Sequence, residues 1–278
     1  MRLDLRNKAA ARLLAGAVLA GALGLPSAQA GEPAPAAGSP WGFNLSTYLW
    51  LPGLKGDFST QSKYQSFNLN FIDIVDKSSR VPLGFMGRLD ADYQHFGFYV
   101  DGTYMNLKLK PALDRLGNGL DTELGLMDYG LTYRIFGPSL AEMRQWRDKK
   151  APNRLDVYAG ARTLWLDNSV SASGPFGWFQ PGVSSSKSFT SPLLGGRIIV
   201  DLSPRWFALL DGNFGGFGAQ NVDFTGSLMG VVGYKTSVFG VPATLEGGYK
   251  ALKYKVDSGS LSANATLNGP FIGFTGHW

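Results

Sequence analysis

Apolar and polar residues alternate along most of the chain after its first forty residues. Between Leu83 and Tyr93, one set of alternate positions is apolar or glycine, and the other set carries Arg88, Asp90 and Asp92. A period of two is that of a β-strand, whose successive side chains point to opposite faces. The pattern therefore predicts strands with one uncharged face and one face that carries charges of both signs.

Ten such segments are predicted, with eight or twelve as the alternatives. Many exceed the roughly 5–6 residues of a typical soluble strand, and aromatic residues concentrate toward their ends, as in the interface girdles of membrane barrels. We therefore predict an all-β fold, an antiparallel transmembrane β-barrel, rather than a water-soluble sandwich. The predicted strands are Phe43–Phe58, Val81–Tyr93, Phe96–Leu109, Glu123–Phe136, Leu155–Ser169, Ser191–Leu202, Trp206–Phe217, Val222–Thr236, Ala243–Val256 and Ala265–Trp278.

The connections between these strands differ in length on the two sides of the predicted barrel. Short turns, which outer-membrane barrels place in the periplasm, are predicted at Gln94–His95, Ser203–Arg205 and Val238–Val241. The other side has a short connection at Gly218–Asn221 and long ones at Ser59–Arg80, Lys110–Thr122 and Val170–Thr190.

One long connection, Gly137–Arg154, lies on the short-turn side. Its Ser139 and Glu142 have the spacing of a capping box, which starts a helix, and basic residues follow. Two alternatives are a basic helix that touches anionic headgroups or the cell wall and a solvated connector.

The first thirty residues have the three parts of a secretory signal peptide. A basic start precedes an apolar stretch that is shorter than the roughly 20 residues of a membrane-spanning helix, and Ala28 and Ala30 form the cleavage pattern. We expect cleavage after Ala30. Residues 1–30 are thus a predicted signal peptide, residues 31–40 a flexible periplasmic leader, and residues 41–278 an outer-membrane β-barrel of a Gram-negative bacterium.

Charge and cysteine content narrow the possible partners. The chain has 26 basic and 21 acidic side chains, and residues 1–30 hold four of the basic and one of the acidic ones, so the remainder is near neutral. A near-neutral chain without a basic stripe does not favour nucleic-acid binding. With no cysteine and no metal, calcium-loop or phosphate-loop motif, we predict no metal and no cofactor.

The charged faces of the predicted strands point into the barrel. Because a small barrel leaves a lumen just wide enough for side chains, we expect these charges to pair across a closed lumen; a narrow pore for small solutes is the alternative. The predicted lumenal charges are Arg88, Asp90, Asp92, Asp101, Asp128, Arg134, Asp156, Arg162, Arg197, Asp201, Asp211, Glu246 and Lys250.

An enzymatic role is the least favoured hypothesis. Barrel enzymes such as omptin-like proteases, lipid A deacylases and outer-membrane phospholipases resemble each other in using a histidine, and this chain has only His95 and His277. Both are predicted at the periplasmic rim, away from an obvious serine. Because of this placement of the histidines, we predict a protein that is not an enzyme. A carboxylate pair, Asp90 with Asp92, is the remaining catalytic alternative.

The last predicted strand ends in a familiar pattern. Ile272, Phe274 and Trp278 share one face, and this arrangement resembles the terminal aromatic signal that the barrel assembly machinery recognises in outer-membrane proteins. Gly276 departs from it, because a bulky apolar residue would be typical there.

Three further segments, at residues 48–56, 211–218 and 248–254, resemble a functionally uncharacterised family of small proteobacterial outer-membrane barrel proteins. The resemblance covers nearly all of the predicted barrel and implies a fold and a location without an activity. We expect outer-membrane lipid, lipopolysaccharide and the assembly machinery as partners, and a structural or surface-interaction role; any transported small solute is unknown.

Overall fold

A computed structural model of the chain describes residues 40–60, 63–69, 84–109, 119–143, 149–171, 183–257 and 261–278. The predicted signal segment, with Ala28 and Ala30, lies outside the described residues. The elements are β1 (Trp41–Trp50), β2 (Gly53–Thr60), β3 (Lys63–Leu69), β4 (Gly84–Tyr93), β5 (Phe96–Leu109), β6 (Gly119–Phe136), α1 (Leu140–Met143), β7 (Arg154–Ser171), β8 (Val183–Asp201), β9 (Trp206–Ala219), β10 (Val222–Val238), β11 (Val241–Asp257) and β12 (Leu261–His277).

The strands form one closed antiparallel sheet. Neighbours in the chain pair in sequence from β4 to β12, and the ring closes because β12 pairs with both β1 and β2, while β1 also pairs with β4. β2 continues the path of β1 beyond an interruption at Leu51 and Pro52, and β3 pairs with β2 as a hairpin extension. Ten strand positions therefore circle the barrel, which confirms the predicted fold class and strand number.

Tight turns join the strands at one end of the barrel, which we call the short-turn end. Gln94 has a positive φ in the turn before β5, and Phe239 and Gly240 both have positive φ in the turn before β11. Two successive positive φ values are those of a type I′ hairpin turn, whose twist matches that of the strands. At the opposite, long-loop end, Gln220 and Asn221 form the same kind of turn.

Strand boundaries differ from the predicted ones mainly at the long-loop end. β8 begins at Val183 rather than Ser191, and residues before Leu193 pair with β7 but not with β9. β3 lies inside the connection that was predicted between residues 59 and 80. Both segments are rich in Ser, Asn, Gln and Lys, so they lack the apolar face that marks a strand within lipid.

Apolar side chains cover the outside of the barrel. Leu131 is 71% exposed and Ile272 is 67% exposed, and both point away from the lumen. Near the short-turn end, Trp41 packs on Tyr93, and Trp206 packs on Tyr234. A band of apolar residues with an aromatic rim is the surface of a barrel that sits in lipid. Within the described ranges, no helix combines the length and apolar character needed to cross a membrane.

Candidate functional site: the barrel lumen

The inward side chains form an apolar layer and a charged layer, whereas we predicted a polar, salt-bridged lumen. From the middle of the barrel toward the long-loop end lies a packed apolar layer, here called the apolar plug. Its side chains replace the polar ones expected on the inward face of strands such as β6, where Leu124 and Leu126 point inward. The plug consists of Tyr48, Trp50, Leu54, Met86, Met105, Leu124, Leu126, Leu164, Phe189, Val222, Met229, Val231, Leu252, Tyr254, Val256, Leu267 and Phe271.

On the short-turn side of the plug, charged side chains extend across the lumen. Arg88 Nε donates to Asp90 Oδ1 at 2.9 Å, since the two residues share one face of β4. Arg197 Nε, on β8, donates to Asp211 Oδ2 at 2.8 Å on neighbouring β9. Arg197 Nη1 also lies 3.7 Å from Asp90 Oδ2. Because β8 and β4 are four positions apart in a ring of ten, this contact spans nearly the full width of the lumen.

A second pair joins this layer. Arg162 is 1% exposed, and its Nε donates to Asp128 Oδ1 at 2.7 Å. Its Nη1 donates to Thr225 Oγ1 at 2.8 Å on β10, three strand positions away from β7. Arg162 Nη2 also donates to Asn213, which donates in turn to the Tyr158 hydroxyl, and that hydroxyl donates to Asp211. These residues, with Arg88, Asp90 and Arg197, form one continuous group that we call the central ion network.

At the short-turn end, a third group fixes the connection after β6, here called the mouth cluster. Asp92 Oδ2 lies 3.3 Å from Arg154 Nη2 and 3.5 Å from Arg134 Nη1, and it accepts a hydrogen bond from the Leu140 backbone nitrogen at 3.0 Å. Arg154 also binds Asp156 at 2.8 Å. The mouth cluster therefore ties the start of α1 to the inside of β4 and β7.

The helix α1 begins with the predicted capping box and packs inside the barrel. The Ser139 nitrogen donates to Glu142 Oε2 at 2.7 Å and the Glu142 nitrogen donates to Ser139 Oγ at 3.1 Å, a complete capping box. The hydrogen bond from Ser139 lowers the pKa of Glu142. Leu140 is buried, and α1 packs against β1 and β4. The start of this connection thus covers the lumen, while Arg144 and Arg147, on which the headgroup-binding alternative depends, lie outside the described residues.

A cavity of about 100 Å³ remains between α1 and the central ion network. Its lining is mixed: Leu140 and Met143 from α1 meet Phe207 and Leu209, and charged Arg197, Asp90, Lys235 and Glu246 also border it. The cavity is small for a drug-sized ligand, whose sites usually measure about 300–1,000 Å³.

The remaining predicted lumenal charges also lie inside the barrel. Arg88 Nη1 is 3.5 Å from Asp101 Oδ2, and Glu246 accepts a hydrogen bond from the Tyr48 hydroxyl at 2.9 Å. Asp201 binds Lys235 and accepts a hydrogen bond from the Ala151 nitrogen at 2.8 Å.

Lys250 has a different environment. Its Nζ lies 3.3 Å from the Met86 sulfur and 5.6 Å from the centroid of the Trp50 ring. In the described part of the chain, no carboxylate lies within ion-pair distance of it.

Among the described residues, Arg154 and Lys235 are lumenal charges that are absent from the predicted set. Arg154 was assigned to a connection, although it stands two residues before Asp156 and so shares its face. Lys235 lies on the inward face of β10, two residues after Gly233, and was left out of the predicted charges. In both cases the period of two was the available signal.

In the described part of the chain, the candidate catalytic residues do not come together in one site. Asp90 and Asp92 belong to different groups, since Asp90 binds Arg88 and Arg197 while Asp92 binds Arg134 and Arg154. His95 Nδ1 contacts the Arg134 carbonyl at 3.0 Å, and His277 Nδ1 contacts Asn44 Oδ1 at 2.8 Å. No group of three His, Asp or Glu side chains in the described ranges is placed to hold a metal ion.

The predicted assembly signal lies at the short-turn end of β12. Ile272 and Trp278 are exposed on the outer face, and Trp278 exchanges backbone hydrogen bonds with Phe43 at 2.8 Å. A Cβ atom at Gly276 would lie 2.4 Å from the Trp278 ring. The ring therefore occupies the space that a bulky residue at Gly276 would need, which accounts for the departure from the usual pattern.

No protein-family model matches the sequence, and no curated protein matches it. Among solved structures, the chain is similar to the attachment invasion locus protein Ail of Yersinia pestis, with 12% identity, a TM-score of 0.36 and coverage of 85% of this chain and 98% of that one. It is also similar to Neisserial surface protein A, with 12% identity, a TM-score of 0.30 and coverage of 86% and 97%. For the outer-membrane protease OmpT of Escherichia coli, the identity is 10%, the TM-score 0.37 and the coverage 85% and 95%.

The barrel's own features decide its class. It has an even number of antiparallel strands, short turns at one end and an apolar outer band with aromatic rims. These are the properties of barrels that span the bacterial outer membrane. By architecture, the chain is a ten-strand barrel of the Gram-negative outer-membrane type.

Proposed function

We propose that the protein is exported by its first thirty residues and works as an outer-membrane barrel whose lumen is closed to solutes. Its role in this proposal is structural or surface-interacting rather than transport or catalysis. Lipid and lipopolysaccharide surround the outer face, and Ile272, Phe274 and Trp278 present the assembly signal. Neither a cofactor nor a metal is needed for such a role.

The contact of Arg197 with Asp90 across the lumen carries this proposal. A water-filled path through the barrel would have to pass this contact, the apolar plug on its long-loop side and α1 on its short-turn side. Wide aqueous channels are found in barrels of about 16 strands or more, whereas small barrels are filled by side chains. Leaving one member of the network unpaired would be costly in a dry interior, so the paired and closed arrangement is the expected ground state.

A proteoliposome swelling assay tests closure against the alternative of a narrow pore. Vesicles that contain the folded protein should swell in small sugars and amino acids no faster than protein-free vesicles. A 16-strand porin, reconstituted at the same protein-to-lipid ratio, serves as the positive control. Swelling that rises with the amount of protein and falls with solute size would replace the closed-lumen proposal with the pore.

A further inference from the structure

Outward-facing lysines lie near the long-loop end of β2 and β11, on either side of β12. Lys253 is the register partner of Thr266, and Thr266 is the partner of Lys55. Asn68 of β3 pairs with Lys55 and extends the same row. We call Lys253, Thr266, Lys55 and Asn68 the lysine row. Adjacent strands are about 4.8 Å apart, so the two lysines stand about 10 Å apart with one hydroxyl between them.

The two lysines of the row are exposed, and neither forms an ion pair with a described residue. The next row toward the long-loop end differs. There Lys255 Nζ lies 3.0 Å from Asp223 Oδ2, so its charge is matched within the protein. Among the described residues, the two positive charges of the lysine row therefore have no ion-pair partner on the outer wall.

The position of the lysine row along the barrel axis indicates which ligand could pair with its two positive charges. Tyr249 is 49% exposed on the same face of β11, four residues from Lys253, and its hydroxyl donates to Asn268 at 3.2 Å. Tyrosine in this position marks the interface between hydrocarbon and headgroups. At about 3.3 Å per residue, the lysines lie roughly 13 Å further along the strand, beyond the apolar band and at the level of the headgroups.

We propose that the lysine row binds a phosphate group of an outer-leaflet lipid. Lys55 and Lys253 supply the charge, and the Thr266 hydroxyl and the Asn68 amide supply further hydrogen-bond donors between and beside them. Lysine is a common phosphate ligand, and basic side chains near a membrane surface attract anionic headgroups. The site rests on the proposed outer-membrane location but does not depend on whether the lumen is closed.

The test measures binding of phosphorylated lipid A to the folded protein in detergent micelles by native mass spectrometry. The variant is Lys55→Gln with Lys253→Gln, and the matched control is Lys149→Gln with Lys150→Gln, two exposed lysines at the short-turn end. We expect the variant to lose roughly thirtyfold in affinity, while the control binds as the wild type does. A Lys55→Arg, Lys253→Arg variant should retain binding, since it keeps both charges.

Two further ligands identify the source of the phosphate. Lipid A stripped of its phosphates should bind the wild type and the double Gln variant equally weakly, and inorganic phosphate should not compete at millimolar concentration. Equal binding of phosphorylated lipid A by the wild type and the Gln variant would overturn the proposal. It would also be overturned if the wild type bound the stripped lipid as tightly as phosphorylated lipid A, or if free phosphate competed effectively. Folding of every variant is checked by its heat-dependent shift on a gel, which exposed lysines should not alter.

Discussion

Arg162 and Asp128 face each other on neighbouring strands, and two nitrogens of the guanidinium donate to the two carboxylate oxygens. The remaining Arg162 nitrogen, Nη1, donates to Thr225, so all three guanidinium nitrogens have a hydrogen-bond acceptor. Buried charges are tolerated when their geometry and hydrogen bonding are complete. This pair thus fills the centre of the barrel and joins four strands.

Breaking this pair on one side should be costly. Asp128→Ala leaves the Arg162 guanidinium buried with half of its hydrogen bonds, and we expect the free energy of unfolding to fall by about 3–5 kcal/mol. Replacing both members, with Asp128→Leu and Arg162→Met, should cost clearly less than the single change, because no charge is left unpaired. Denaturant titration of the protein in lipid vesicles measures both values. A double variant that is less stable than Asp128→Ala would contradict the assignment.

Two leucines on opposite faces test the apolar plug. Leu126 is 3% exposed inside the plug, and Leu228 is 56% exposed on the outer wall. Leu126→Ala should cost about 2–5 kcal/mol, because it leaves a cavity in a packed interior. Leu228→Ala should change stability little, since lipid fills the space. Equal losses in the two variants would mean that the plug is not packed.

The outer wall can be tested with a charge. Leu245 is 53% exposed on the outer face of β11, four residues from Tyr249 toward the short-turn end. Leu245→Arg places a cation in the hydrocarbon, which costs about 2–4 kcal/mol near the bilayer midplane. The same titration in vesicles measures this loss, with Leu245→Ala as the control for the missing side chain. An arginine that is tolerated as well as alanine would show that this face does not contact lipid.

How far the sequence predicts the molecule depends on what each face contacts. Lipid requires an uncharged outer face, so alternation revealed the strands within the membrane. In residues 183–190 of β8, which are rich in Ser and Lys, the alternation that marks a strand within lipid is absent. Inside the plug the inward side chains are apolar, as at Leu124 and Leu126, so an alternation of apolar and charged positions does not predict this inner layer.

The sequence predicts only some of the ion pairs between the lumenal charges. Arg88 with Asp90 and Arg162 with Asp128 follow from shared faces and neighbouring strands. Arg197 with Asp90 depends on how the strands are staggered around the ring, and alternation carries no information about stagger. The placement of Leu140 over the lumen likewise depends on Asp92 and Arg154, which lie far away in the sequence.

The cap of α1 should respond to pH through Glu142. Its pKa is lowered in the folded protein by the hydrogen bond from Ser139. A lowered folded pKa means that the carboxylate's contribution is fully present above the ordinary glutamate pKa of about 4.3 and is lost as the pH falls through the folded value. Hydrogen-exchange protection of the Ser139 amide, which donates to Glu142 Oε2, should therefore decline at acidic pH. Glu142→Gln should show weaker protection that no longer varies over this pH range. If the variant kept the pH profile of the wild type, the Glu142 cap would not be the cause of the pH dependence.

The central claim is that side chains close the lumen, and single-channel recording in planar bilayers tests it most directly. Purified wild-type protein should give no steady current steps. Arg88→Ala with Arg197→Ala removes the cations beside Asp90, so it should produce small openings or a lower unfolding temperature. Large, stable steps from the wild-type protein would contradict the account.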